Sequence, residues 1–103
     1  MSKEYRLSYV PTFEQDLEEV RDYIAIRLMN PSAALRLIED TEKAIYNRLK
    51  NPLGFNPYKS SRTRKQPYYR INIRNYSVFY VVIGDVMEVR RFIYAKRNLP
   101  EIL

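Results

Sequence analysis

The chain reads as an α+β domain, with an N-terminal strand and a helical hairpin packed on one face of a small, largely antiparallel sheet. Three observations predict this. Two amphipathic segments, with apolar residues three and four apart, lie together before residue 50. Three segments in which apolar and polar residues mostly alternate lie together after residue 67. Helices followed by a run of strands is the order of α+β proteins rather than of repeating α/β units. With 103 residues, 46% of them hydrophobic, the chain is sized for a single domain over 1–103 with one modest core.

The first element is a short strand, residues 5–9, Tyr-Arg-Leu-Ser-Tyr, which Pro11 ends. Thr12 opens a capping box with Gln15. Phe13, Leu17, Val20, Ile24 and Leu28 then mark an amphipathic helix over about 13–28. Glu14, Asp16, Glu18 and Glu19 crowd its first turns, where the helix dipole favours negative charge. Asn30-Pro31 is the next boundary, because Asn caps and Pro suits the first helical position. Ala34, Ile38, Thr41, Ile45 and Leu49 form a second stripe, so a helix over about 31–50 follows. The connection is too short for anything but an antiparallel helical hairpin.

Asn51-Pro52-Leu53-Gly54 stops that helix. Residues 52–67 hold three of the six prolines and the basic run Lys59, Arg62, Arg64 and Lys65. This segment is an exposed loop, either simply solvated or a phosphate-contacting arm. Strands are expected at 68–74, 76–83 and 86–94, joined by two-residue turns at Arg74-Asn75 and Gly84-Asp85. Such turns pair Ile83 with Val86, Phe79 with Arg90, and Arg70 with Phe79, and paired residues share a face. One face then collects Tyr69, Ile71, Ile73, Val78, Tyr80, Val82, Met87, Val89 and Ile93 as a core for the helices. The other collects Arg70, Asn72, Ser77, Phe79, Val81, Glu88, Arg90, Phe92 and Tyr94. Phe79, Val81 and Phe92 are candidates for cover by the C-terminal segment 99–103.

Charge is distributed unevenly. Residues 1–50 carry 8 Lys/Arg against 9 Asp/Glu, and residues 51–103 carry 10 against 3, within a net charge of +6. A basic half of this kind suits a polyanion or an acidic protein partner. Arginines beside aromatic rings on one sheet face point to nucleic acid. The chain has neither Cys nor His, which removes disulfides, thiol nucleophiles and the commonest metal ligands. No clustered ligand set is present, so neither metal nor cofactor is expected. No apolar run approaches the roughly 18–20 residues of a membrane span, and the start of the chain lacks an apolar signal region. The expected location is the cytoplasm.

Several motifs together resemble the RelE/ParE superfamily of bacterial type II toxin–antitoxin toxins. They are the segment Asp16-Leu17-Glu18-Glu19-Val20-Arg21-Asp22-Tyr23-Ile24-Ala25, then Asn30-Pro31-Ser32-Ala33-Ala34, Asn51-Pro52-Leu53-Gly54, Tyr69-Arg70-Ile71, Asn75-Tyr76-Ser77-Val78-Phe79-Tyr80, and Phe92-Ile93-Tyr94-Ala95-Lys96-Arg97-Asn98. Each is weak alone, whereas their order and spacing over almost the whole chain are specific. The resemblance implies growth inhibition, of the kind used in plasmid stabilisation, and a cognate antitoxin. It also implies one of two activities. RelE-like members cleave mRNA in the ribosomal A site, which makes ribosome and mRNA the partners. ParE-like members inhibit DNA gyrase without enzymatic chemistry. The long helical hairpin looks like the ParE side and the basic strand face suits the RelE side. A nucleic-acid-binding domain without toxicity, or a degenerate toxin, is the third reading.

In RelE-like toxins basic residues on a sheet strand and an arginine after the last strand serve cleavage, and Arg70 and Arg97 match those positions. Asn72 and Ser77 stand where the family often has basic residues, which leaves the choice of activity open. Metal-independent RNA cleavage needs a group to take the 2′-OH proton and charges to stabilise the phosphorane. Without His, Tyr94 is the candidate base or stacking platform, with Arg70 and Arg97 on the phosphate and Glu88 as a weaker base. Lys59, Arg62, Arg64, Lys65, Arg74, Arg90 and Lys96 are the candidate nucleic-acid contacts.

Overall fold

Pro11, rather than Thr12, starts the first helix. In the computed structural model, which describes residues 4–59, 65–97, 99 and 103, strand β1 (Arg6–Tyr9) runs through Val10 straight into helix α1 (Pro11–Asp22). Pro11 has its φ preset and no N–H to satisfy, so it is at home in the first turn. Thr12 is thereby carried inside the helix and the expected capping box does not form. The Val10 carbonyl accepts from the N–H groups of Phe13 and Glu14 instead, at 3.0 and 3.3 Å.

The expected 13–28 helix is α-helical only as far as Asp22 and then widens into a π-helical turn, Tyr23–Arg27. Met29 takes a left-handed conformation, φ 52°. Asn30 caps helix α2 (Pro31–Leu49) by accepting from the Ala33 N–H at 3.2 Å. Helix α2 folds back onto α1 and the π turn. Ala34, Leu37, Thr41 and Ile45 are its buried residues, and the Thr41 hydroxyl is satisfied by donating to the Leu37 carbonyl at 2.7 Å.

Three strands follow: β2 (Tyr69–Ile73), β3 (Tyr76–Ile83) and β4 (Val86–Tyr94). The sheet order is β1-β4-β3-β2. Strands β2, β3 and β4 form an antiparallel meander, β1 lies parallel to β4, and the helical hairpin carries the chain from β1 at one edge of the sheet to β2 at the other. Both two-residue turns are where the sequence puts them, with Arg74 at φ 53° and Gly84 at φ 62° supplying the left-handed residues. Pairings Arg70↔Phe79 and Ile83↔Val86 match the expected register.

The pairing Phe79↔Arg90 does not form. Tyr80 pairs with Val89 and Phe79 pairs with Arg91, so Arg90 is the extra residue of a β-bulge. Beyond it every side chain of β4 changes face. Phe92 enters the core under the helices with Phe13, Leu37, Ile45, Ile71, Val78, Tyr80 and Val89. Ile93 moves to a second cluster on the other face, with Tyr68, Phe79, Val81, Leu99 and Leu103. The expectations of Ile93 beneath the helices and of Phe92 beneath the C-terminal segment are thus exchanged. The cause is charge. Unbroken alternation would place Arg91 between Val89 and Ile93 on the core face, and a buried unpaired guanidinium is far costlier than a bulge. With the bulge, Arg91 reaches the Asp16 carboxylate of α1 at 2.7 Å, and Asp16 also accepts the Phe92 N–H at 3.0 Å.

Candidate functional site

The sheet face turned away from the helices is built around Phe79. Tyr58 and Tyr68 meet its ring edge-on, with centroids at 5.3 and 6.1 Å. Arg70, the cross-strand partner of Phe79, lies half-buried against this group. Its guanidinium is 5.7 Å from the ring centroids of both Tyr58 and Phe79. The Arg70 Nε donates to the Ser77 hydroxyl at 2.8 Å, and Ser77 donates in turn to Asn72 Oδ1 at 3.0 Å. Asn72 and Ser77, which stand where the resembled family often carries charge, are here the polar chain that orients Arg70.

The start of the loop that leads from α2 towards Tyr58 is held on the helix side by Arg48, a residue without a role in the sequence-based expectations. Its guanidinium donates to the Tyr80 hydroxyl at 3.0 Å and to the Arg70 carbonyl at 3.3 Å, and lies 3.6 Å from the Phe55 ring centroid. Tyr80 donates onward to the Pro52 carbonyl at 2.7 Å. Burial pushes the Tyr80 hydroxyl above the usual tyrosine pKa, partly offset by the Arg48 charge. The only sequence signal for Arg48 was a basic residue in the last turn of a helix, which the helix dipole alone accounts for.

The bulge separates the expected catalytic trio. Tyr94 pairs with Tyr76 and touches its ring, with centroids 5.6 Å apart, while Tyr76 stacks on Phe92 at 5.0 Å. Tyr94 therefore stands at the end of the helix-covered face, on the opposite side of the sheet from Arg70. Burial, followed by the neighbouring Tyr94 and Tyr23 hydroxyls, raises the Tyr76 pKa. Arg97 is exposed just beyond β4, its N–H donating to the Tyr94 carbonyl at 3.0 Å, and Lys96 beside it is also exposed.

Three of the eight described basic residues of the basic half are paired within the chain. Arg90 bonds Glu88 at 2.8 Å; burial works against its charge, but the Glu88 and Tyr68 hydrogen bonds outweigh that and raise its pKa. The pKa of Arg91 is likewise raised, by its bond to Asp16. Arg74 leaves the site altogether to pair with Asp40 of α2. Lys59 and Lys65 are exposed, and Arg62 and Arg64 lie outside the described residues. Lys59, Lys65, Arg70, Lys96 and Arg97 are the described basic residues of this half outside any ion pair. Among the described residues no three His, Cys, Asp or Glu side chains converge as a metal site, and no helix is long and apolar enough to cross a membrane. The arrangement offers one oriented guanidinium in an aromatic setting, with the Tyr58 ring, 5.7 Å from it, as the adjacent hydroxyl-bearing group.

Residues 7–99 match the family described as the ParE toxin of type II toxin–antitoxin systems, parDE. Among solved structures, the chain is similar to the chromosomal ParDE system of P. aeruginosa, with 16% identity over 90% of this chain and 98% of that one, at a TM-score of 0.70. The DinJ–YafQ toxin–antitoxin complex of E. coli follows at 9% identity, 88% and 92% coverage and a TM-score of 0.55. The archaeal RelE–RelB complex of Pyrococcus horikoshii gives 18% identity, 91% and 98% coverage and 0.53. No curated protein matches the sequence significantly.

Proposed function

The chain belongs to the ParE toxin family of type II toxin–antitoxin systems, and from that premise we propose that it inhibits growth by binding DNA gyrase as a protein ligand rather than by cutting mRNA. One observation carries this reading: Arg70 and Tyr94 stand on opposite faces of the sheet, so a phosphate held by the first is out of reach of a proton acceptor at the second. Binding another protein needs no such convergence. The partner that keeps the toxin silent is an antitoxin segment with acidic and apolar residues, laid over Lys59, Lys65 and the Arg70 face. The similar structures named above pair a toxin with an antitoxin, which supports a partner of this kind.

The test is a parallel assay of the purified chain. Gyrase supercoiling of plasmid DNA should be lost at toxin concentrations that leave ribosome-bound mRNA intact. Cut mRNA with normal supercoiling overturns the proposal.

The cage around Arg70 favours a second reading, ribosome-dependent cleavage, because a guanidinium between aromatic rings suits an unstacked nucleotide. In that reading Arg70 and Arg97 hold the phosphate, and Arg97→Ala lowers cleavage by on the order of 10²–10³. Tyr94 then acts from the far side of the sheet as a stacking platform.

A further inference from the structure

The tip of the helical hairpin breaks two local rules at once. A helix that ends on a left-handed residue usually has glycine there. Here that residue is Met29, at φ 52° and 84% exposed. The turn before it is π-helical, a rare form concentrated at functional sites: the Leu28 N–H donates to the Tyr23 carbonyl, five residues back, at 3.1 Å. The Met29 and Asn30 N–H groups donate to the Ile26 and Ile24 carbonyls at 3.3 and 3.1 Å, so the backbone of the tip is tied down. Ile24 packs against the core, while Tyr23, Ile26, Leu28 and Met29 are held outward, Ile26 with 70% of its surface exposed. Leu35, in the second turn of α2, is exposed as well. Five of the ten large apolar side chains that stand exposed among the described residues thus fall between 23 and 35, a cluster rather than scattered surface residues. Charge is sorted at the same place. Between Asp22 and Glu39 the sequence has Arg27 and Arg36 and no carboxylate, and neither arginine forms an ion pair among the described residues.

Resting on the gyrase reading above, we propose that this tip is the surface with which the toxin engages its target, entering an apolar pocket rimmed by Asp and Glu side chains. Seating Ile26, Leu28 and Met29 in such a pocket takes apolar surface out of water, and the acidic rim answers Arg27 and Arg36. A second copy of the chain is a poor occupant, because it brings the same arginines against each other with no carboxylate between them. A lipid surface is a poor one for a different reason. A bilayer asks only for apolar area, which a relaxed turn closed by glycine offers equally. A tied-down turn that accepts a strained residue fixes where each side chain stands, and that is useful to a partner of fixed shape.

The experiment titrates the full chain and its variants into a gyrase supercoiling assay and reads the concentration that halves the activity. Ile26→Ser with Leu28→Ser should raise that concentration at least about tenfold, and Arg27→Glu should raise it comparably. Met29→Gly separates folding from contact. It relaxes the left-handed residue, so the thermal midpoint should hold or rise, while the lost side chain should weaken inhibition. Leu53→Ser, at an exposed apolar residue outside the tip, should leave inhibition unchanged. If the wild-type chain inhibits gyrase and the folded tip variants inhibit equally well, or Leu53→Ser weakens inhibition as much as they do, the tip assignment is wrong and the gyrase reading stands. A wild-type chain that leaves supercoiling untouched removes the gyrase reading and the tip's partner with it. Co-sedimentation with phosphatidylglycerol vesicles that the tip variants lose, with their inhibition of gyrase intact, would reassign the tip to a lipid surface.

Discussion

Asp16 does two jobs with one carboxylate. It neutralises Arg91, whose side chain is 27% exposed, and it accepts the Phe92 N–H at the stretch of β4 that β1 does not reach. Asp16→Ala leaves a partly buried guanidinium and a backbone donor unsatisfied together. The expected loss is about 2–4 kcal/mol of unfolding free energy, measured by urea denaturation. A loss under about 0.5 kcal/mol, the level of an ordinary surface change, would show that water replaces the carboxylate. Tyr80 gives a pH prediction. Its folded pKa lies above the ordinary value of 10.0 because burial opposes the phenolate. The unfolded chain then loses this proton first as pH rises. The stability contributed is complete below about pH 10 and declines from there towards the folded pKa. The urea midpoint should fall between pH 9 and about 11, and Tyr80→Phe should flatten that fall while lowering the midpoint at pH 7 through the lost bonds to Arg48 and Pro52. An identical pH slope in the variant would assign the fall to other groups.

Strand β4 is the element that decides the site. Its first half obeys the alternation seen in the sequence, with Met87 and Val89 inward, and its second half obeys the opposite phase, with Phe92 inward. The switch is made by one residue, Arg90. Deleting Arg90 should therefore leave the pairings of Val89 and Phe92 in place and close the bulge into a regular ladder. The expected product is a folded chain that keeps the Tyr76–Phe92 stack, seen as nuclear Overhauser contacts between the rings. Contacts from Ile93 to the helices in their place would show that the faces are not set by the Arg91–Asp16 pair. The site itself follows from this switch, since it puts Tyr94 beside Tyr76 and away from Arg70.

The whole molecule is two-sided, with the helices on one side of the sheet and Arg70, outside any ion pair among the described residues, on the other. In the proposed reading, an acidic, apolar antitoxin segment covers the second side and adds binding free energy to folding free energy. Co-expression with an adjacent gene for a small acidic or DNA-binding protein should restore growth and give a complex that melts well above the toxin alone. Failure of any such product to co-purify would count against this partner.

Local chemistry was enough for the element order, the α+β class and both two-residue turns. Proline, Asn30 and the alternation act over a few residues, and Gly84 and Arg74 take up the left-handed φ the turns require. The family likeness was legible for the same reason, because it rests on short motifs in order. The parallel β1–β4 pairing, the bulge at Arg90 and the clamp by Arg48 were decided in three dimensions. Each depends on what lies across space from a residue: Asp16 from α1 for Arg91, and Phe55 and Tyr80 for Arg48. A two-residue period carries no record of where it will be interrupted, and the cost of burying one guanidinium determined which face Tyr94 shares.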